Sequence, residues 1–298
     1  MKPKEKSLHH AERMQGYLSV LPVIVLELVV LAYPLFIVIT KSFTNWNGLY
    51  QSDFVGFRNF VRYFADPDFW LLLQNSFILL LCIPLQALAG LIIAMILYEK
   101  MRFWKLFRFV YYLPSIISMV TVGYLFKVFF SYTGPINRIL NVLGLEQYAL
   151  EWLGMRWSAI LVVLFCLVWS SIGWQVLVLF GGLSAIPTSI FEAAIMDGAG
   201  YWRRLFKIVL PLLVRTMEYS FISCMIWLFT GIFPLIHTLT GGGPALGTTT
   251  IDYMIYTRGF NSSRLGQASA LSVVLLVIIL GITKLQMVMA NKIDNWGA

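Results

Sequence analysis

Charge is scarce in this sequence: 12% of its 298 residues are Asp, Glu, Lys or Arg, against roughly 25% in soluble domains. It also has no polar stretch long enough to enclose a second core. That excludes a pair of globular domains and leaves one extended hydrophobic unit. Cysteine is limited to Cys82, Cys166 and Cys224. Each falls inside an apolar run, so the three read as small core residues rather than a disulfide framework or a thiolate metal site. The histidines, His9, His10 and His237, lack ligand-spaced companions, so no metal centre is expected, and no G-x-S-x-G elbow is present. Gly242-x4-Gly247-Thr248-Thr249 comes close to a phosphate-cradling loop, but Thr248 stands where lysine is required, so ATP is not expected there. The TGGG of 240–243 leads into the polar segment TTTIDYMIYTRGFNSSR with no ring of acidic residues, which excludes a channel filter.

What the chain has in quantity is apolar residues, at 59%. Six runs reach the length of about 20 residues that a bilayer crossing needs: 17–40, 71–98, 107–130, 158–181, 209–236 and 268–290. An all-α membrane protein of six transmembrane helices is therefore predicted, with a bundle over about 17–290 and the whole of 1–298 as one domain. Pro84 and Pro114 are expected to kink the second and third spans. The first run is too long for a cleaved signal peptide and reads as a retained helix.

The net charge of +8 is not gathered into a nucleic-acid patch, because the basic residues sit at the ends of apolar runs. Counting Lys and Arg in the loops places Lys2, Lys4, Lys6, Arg13, Lys100, Arg102, Lys105, Arg108, Arg203, Arg204, Lys207 and Lys292 on one side. Lys41, Arg58, Arg62, Arg138, Arg156, Arg258 and Arg264 fall on the other, twelve against seven. The richer side is predicted to be cytoplasmic, with both termini and the 185–208 loop on it.

That loop contains FEAAIMDGAGYWRRLFKIVLP, residues 191–211. Pro187, Thr188 and Ser189 have helix-start chemistry, and Ser189 to Glu192 has capping-box spacing. Phe191, Ala194 and Ile195 give a short helix one apolar flank, and Asp197-Gly198 and Gly200 should end it. A second short helix over 201–208 would lead to Pro211 as a first-turn residue of the fifth span. By residues alone the loop is either a capped connector or a knob for a cytoplasmic partner. Glu192 can cap the helix or reach a basic partner. Arg203, Arg204 and Lys207 read as headgroup anchors more readily than as partner contacts.

Glu192, Ala193, Ala194, Gly198, then Ile208, Leu210 and Pro211, with Asp197 and Ala199 between, resemble the EAA loop of binding-protein-dependent ABC importer permeases. LTGGGP at 239–244 with the following GTTT, FVGFRNFVRYFADPDFW at 54–70 and RFVYYLP at 108–114 resemble the carbohydrate permeases, in particular the first membrane subunit of the maltose-permease type. The resemblance implies a type I ABC importer permease fold in the cytoplasmic (inner) cell membrane. It implies a multi-pass transport subunit that is not itself an enzyme and holds no cofactor, with ATP and Mg bound by a partner ATPase. Glu192, Ala193, Ala194, Asp197, Gly198 and Ala199 would then form a coupling helix seated on that ATPase. The implied partners are a second homologous permease, an ATPase dimer, an extracytoplasmic solute-binding protein and membrane lipid, with no nucleic acid. The expected cargo is a sugar or oligosaccharide; glycerol phosphate or another polar solute is the alternative.

A sugar path needs hydroxyl partners and flat apolar faces. Ser170 and Trp174 share a stripe of the fourth span beside Ser171 and Gln175, and Tyr219, Ser223, Trp227 and Thr230 share one of the fifth. Close helix packing would use the same residue types. Glu27, inside the first span, has no assigned role, and Arg215 and Glu218 are spaced to pair with each other.

Overall fold

A computed structural model describes residues 16–50, 52–99 and 104–297; residues 104, 105, 107, 108 and 289–297 are described by backbone alone. Lys2, Lys4, Lys6, Arg13, His9, His10, Lys100 and Arg102 lie outside the described residues, as do the side chains of Lys105, Arg108 and Lys292. The described residues are helical apart from turns and an isolated antiparallel bridge between Thr44 and Phe54. They pack as two compact units. One comprises the chain up to Tyr63 with Ile255–Val274, the other Phe64–Met254 with the residues from Leu275 onward.

In the first unit, helix α1 (Gly16–Lys41) is long and apolar enough to cross a bilayer, and none of its hydrophobic window is buried. Glu27, exposed on it, directly precedes a π-helical turn at Leu28–Ala32. The chain then reverses and enters α2 (Arg58–Ala65). Buried Asn59 fixes the reversal by donating to the carbonyls of Ser42 at 2.8 Å and Thr44 at 2.9 Å. Two further bonds tie the start of the last span to the same place. Gly266 N–H donates to Trp46 O at 2.8 Å, and the Tyr63 hydroxyl donates to Gln267 O at 3.2 Å. Gly266 allows the close approach, since a Cβ there would sit 2.1 Å from Thr44 O.

The second unit begins with α3 (Pro67–Leu79), started by Asp66, whose carboxylate accepts from Asp68 N–H with Pro67 in the first turn. It continues into α4 (Cys82–Tyr98) as a single candidate span, Pro67–Tyr98. Pro84 shapes the join. Lacking an N–H, it cannot bond Leu80 O, which accepts instead from Ile83 N–H at 3.0 Å, and the turns around it tighten to three-residue bonds.

At the third span the expected kink is a full break. Within α5 (Trp104–Ile116) and α6 (Met119–Phe129), the stretches Phe109–Ile116 and Met119–Phe129 meet at 105°, with Ser118 extended between them. A short α7 (Pro135–Val142) leads to α8 (Arg156–Ser184), a straight span of 29 residues.

The 185–208 loop holds α9 (Thr188–Met196). The fifth span differs from expectation. Pro211 does not begin it but lies inside α10 (Tyr201–Leu212), which meets α11 (Val214–Gly231) at 74° across Leu213. Pro211 removes the N–H that would bond Lys207, and the turn before it, Leu205–Val209, relaxes to π-helix. Helix α12 (Phe233–Leu239) packs on α6 so closely that a Cβ at Gly123 would meet Thr238 Oγ1 at 1.8 Å. Last come α13 (Ile251–Tyr256) and α14 (Leu265–Gly297). Among the described residues four helices can each cross a membrane, or six spans exist if each bent pair counts as one.

The core of this unit is the seam between α4 and α8. Leu91, Ala94 and Met95 meet Val176, Leu179 and Leu183, all 1% exposed or less. A Cβ on Gly90 would lie 2.6 Å from Gln175 Cγ, so glycine sets the spacing. Cys82, Cys166 and Cys224 are buried free thiols.

Between spans, burial raises the Asp252 carboxyl from 3.8 to about 6, against hydrogen bonds from the Thr250 hydroxyl and the Tyr253 and Phe233 amides. Its Oδ2 is buried without a hydrogen-bond partner. Between pH 4 and 6 the folded chain holds a proton that the unfolded chain has released, so stability falls as pH rises through that window. The full cost, on the order of 3 kcal/mol, persists above it. The melting temperature of the detergent-solubilised protein should therefore climb on acidification from pH 7 to 5. In Asp252→Asn that climb should shrink; an unchanged climb would show that other groups cause it.

Candidate functional site

Helix α9 starts two residues earlier than capping-box spacing requires. Its N-cap is Pro187, no side chain caps it, and Ser189 lies inside the first turn, so the Ser189–Glu192 box is not formed. The far end is built with more care. Ala199 N–H donates to Ala194 O at 2.9 Å and Gly198 N–H to Ile195 O at 3.0 Å, with Gly198 at φ +71°. This is a Schellman cap, whose left-handed position glycine fills without strain. Ala194 and Ala199 close it as a buried apolar pair, so the D-G-A of the sequence has a structural cause. Gly200, at φ −65°, is not required for a turn and begins α10.

The apolar flank of α9 is narrower than Phe191, Ala194 and Ile195. Phe191 and Ala194 are buried, but Ile195 is 56% and Met196 86% exposed. Phe191 packs on Tyr98 with ring centroids 4.9 Å apart and joins the α4–α8 core together with Leu205, Val209 and Leu213. The opposite face presents Glu192, Ala193, Ile195, Met196, Asp197 and Gly198 to the outside. A rigid capped rod is thus anchored to the bundle on one side and bare on the other.

A polar brace holds it. Arg204 pairs with Glu99 at the end of α4 and donates to Ala199 O at 3.0 Å, while the Tyr201 hydroxyl donates to Ile92 O at 3.2 Å. Arg203 and Lys207 are exposed, in keeping with headgroup anchoring, but Arg204 has this intramolecular task, which charge counting missed. Arg215 and Glu218 do pair, at 3.5 Å.

The second feature is a cavity of about 360 Å³ lined by Ser170, Ser171 and Trp174 of α8, Ser223, Cys224 and Trp227 of α11, Gln86 of α4, and Ser115 and Met119 at the break of the third span. It brings together Ser170, Ser171, Trp174, Ser223 and Trp227. It does not include Gln175, Tyr219 or Thr230. Gln175 is buried and accepts from Ser220 at 2.8 Å, Tyr219 is 62% exposed, and Thr230 bonds back to Ile226 O. Helical spacing put Tyr219 and Thr230 on the stripe, but the cavity covers only its middle turns.

Gln86, Ser115, Met119 and Cys224 were not foreseen. A lone amide in the greasy LCIPLQALAG stretch was the available signal for Gln86. It is 3% exposed, and its Oε1 has no hydrogen-bond partner. The Ser115 hydroxyl donates to Ser170 O at 2.9 Å and accepts from Gly173 N–H at 3.0 Å, clasping the broken span to α8. No lining side chain is charged.

The glycine-rich loop that resembled a phosphate cradle is closed on itself. The Thr248 hydroxyl donates to Gly243 O at 2.7 Å and Thr249 to Gly242 O at 2.8 Å. Asn75 donates to Leu246 O and Thr249 O, and is itself held by Arg156 at 3.0 Å. Its hydroxyls are committed to this lock.

The family model described as "Binding-protein-dependent transport system inner membrane component" matches residues 71–294. The chain is 34% identical to the probable ABC transporter permease protein YurN of Bacillus subtilis, over 91% of this chain and 94% of that one. It is 31% identical to the multiple sugar-binding transport system permease protein MsmF of Streptococcus mutans, over 94% and 96%. It has the fold of a chain in a bacterial ABC transporter involved in the import of the acidic polysaccharide alginate, with TM-score 0.83 and 24% identity, covering 97% of this chain and 99% of that one.

Two outcomes test the loop in the complex reconstituted with its partner chains. Gly198→Val, costing roughly 1–3 kcal/mol at a left-handed position, should insert normally but lose uptake, whereas Gly198→Asn, tolerated at such positions, should keep most of it. Normal uptake by the valine variant would show that the cap geometry is dispensable. Arg204→Gln should leave ATP hydrolysis in place and lower solute moved per ATP about fivefold, the worth of roughly 1 kcal/mol. Glu99→Arg combined with Arg204→Glu should restore part of it, and an additive loss would refute the brace.

Proposed function

The chain belongs to the family of binding-protein-dependent transport system inner membrane components, and from that premise we propose that it is the permease subunit of an ATP-driven importer for an uncharged oligosaccharide. The observation that carries the cargo is the wall of the cavity. Trp174 and Trp227 offer flat faces to sugar rings, and Ser170, Ser171 and Ser223 with Gln86 offer hydrogen bonds to hydroxyls. The Gln86 Oε1 is buried without a hydrogen-bond partner while its side chain borders the cavity, so a turn of the amide would offer an acceptor to a sugar hydroxyl. A phosphate ester or a uronate would enter this space without a cation to meet it, at a large desolvation cost. Similarity to a permease of a multiple sugar-binding transport system supports the same cargo class.

Coupling runs through α9. The exposed face of Glu192, Ala193, Asp197 and Gly198, with Ile195 and Met196, docks on a separate ATPase, while Phe191 carries the displacement into the α4–α8 core. ATP and Mg are bound by that ATPase. Closure of the ATPase dimer draws two such helices together, one from this chain and one from a second homologous permease, and switches the bundle between discrete arrangements. An extracytoplasmic binding protein delivers the solute. In this reading the whole of 1–298 works as one permease domain of the cytoplasmic membrane, with both termini on the ATPase side.

Uptake into vesicles containing the complete importer tests the cargo. Trp174→Ala and Trp227→Ala should each reduce uptake of a neutral tri- or tetrasaccharide at least tenfold, given roughly 1.5 kcal/mol per lost stacking contact, with basal ATP hydrolysis unchanged. Selective uptake of glycerol phosphate over every neutral saccharide offered would overturn the assignment.

A further inference from the structure

A second cavity, of about 300 Å³, lies in the first unit and plays no part in the path described above. Its wall carries Arg58, Arg62 and Arg264, with Asn45, Ser263 and Gln267 among the polar neighbours. Among the described residues no carboxylate lies within ion-pair distance of these three arginines. The described part of the unit has five cations, Lys41, Arg58, Arg62, Arg258 and Arg264, against two anions, Glu27 and Asp53. Asp53 is engaged by Asn45, which donates to it at 3.0 Å. Three guanidinium groups around one cavity, uncompensated from within, call for an anion from outside.

The position of the cavity identifies the anion. Lys41 is the last residue of span Gly16–Lys41, and Arg264 immediately precedes span Leu265–Val288. The site therefore opens at the depth where two membrane-crossing helices leave the hydrocarbon. Counting Lys and Arg along the sequence puts Lys41, Arg58, Arg62 and Arg264 on one membrane face, so one leaflet meets the cavity. Helix α2 divides its sides accordingly. Asn59 and Tyr63 are buried, Arg58 and Arg62 line the cavity one turn apart, and Phe57 and Val61 remain 69% and 64% exposed. Phe54, Tyr50 and Leu49 nearby are 79%, 94% and 77% exposed. Apolar side chains bared beside a cationic pocket at the interface suit acyl chains next to a phosphate.

We propose that this cavity binds the headgroup of an anionic phospholipid in that leaflet, its phosphodiester held by Arg58, Arg62 and Arg264. The arginines disfavour a choline or ethanolamine ammonium, while Ser263 and Gln267 suit a polyol headgroup, so phosphatidylglycerol is preferred to zwitterionic lipids. The site is separate from the uncharged cavity of the cargo reading, and its test reads lipid, not uptake.

The purified full chain, delipidated in detergent, would be titrated with phosphatidylglycerol and with phosphatidylcholine and its bound lipids counted by native mass spectrometry. Phosphatidylglycerol should bind at least about tenfold more tightly than phosphatidylcholine, whose ammonium is repelled by the same arginines, a difference of about 1.4 kcal/mol, and Arg58→Gln/Arg62→Gln/Arg264→Gln should abolish that preference. Arg138→Gln, removing a charge elsewhere, should keep it. If the triple variant does not yield monodisperse protein, single Arg264→Gln and the triple lysine variant replace it, each expected to weaken phosphatidylglycerol binding several-fold. Undiminished binding in these variants overturns the proposal. So does displacement of the lipid by millimolar inorganic phosphate, which would assign the cavity to a free anion. Loss of binding-protein-dependent ATPase activity in the variants with lipid retention intact would assign it to an acidic protein surface and likewise refute it.

Discussion

The second unit depends on one close contact, the seam where Gly90 lets α4 settle against Gln175 of α8. Lipid tails are as apolar as leucine, so hydrophobicity alone does not hold two helices together in a bilayer; close packing and interhelical hydrogen bonds do. Along this seam Leu91, Met95, Leu179 and Leu183 interlock, and Gln175 passes the contact on by accepting from Ser220 of α11. Two further features hang from it. Helix α9 is seated at one end through Phe191, and the cavity opens partway along α8.

The cavity lies beside the break in the third span, where Ser115 and Met119 flank it and join the wall with Trp174 and Trp227. The breaks at Ile117–Ser118 and at Leu213 bend the helices by 105° and 74°. Interrupted backbone at membrane depth is tolerable only where its polar groups find partners. The Ser115 hydroxyl ties the end of α5, next to the break, to the backbone of α8 by donating to Ser170 O and accepting from Gly173 N–H. The same side chain borders the cavity.

Much of this was legible in the residues, and what was not has identifiable causes. Runs of apolar side chains gave six spans because the bilayer imposes a length that local sequence must meet. Asp197-Gly198 marked the end of α9, and Gly198 takes the left-handed backbone that few other residues accept. The helix start was misread, because Ser189 and Glu192 have capping-box spacing while the helix begins two residues earlier, with Pro187 at the N-cap and no side-chain cap. Proline marked where helices weaken, but Pro84 allows a joined span and Pro114 precedes a complete break. The difference lies in tertiary partners such as Ser115, which no local pattern encodes. Periodicity grouped Ser170 with Trp174 and Ser223 with Trp227, and one cavity borders all four because each pair lies on a single helix. It could not reach Gln86, whose relevance depends on a third helix arriving beside them. The Glu99–Arg204 pair joins residues far apart in the chain, and from the sequence Arg204 read as a headgroup anchor.

The core that seats Phe191 draws its members from Leu91 through Leu213. During biosynthesis α4 therefore enters the bilayer long before its partners exist, and must wait there with Gln86 and Gly90 facing lipid. The nascent chain has no cohesive centre until well over half of it has left the ribosome. A truncation before α8 would leave α4 without the helix its core is built against, and such unpartnered inserted helices are natural prey for membrane quality-control proteases.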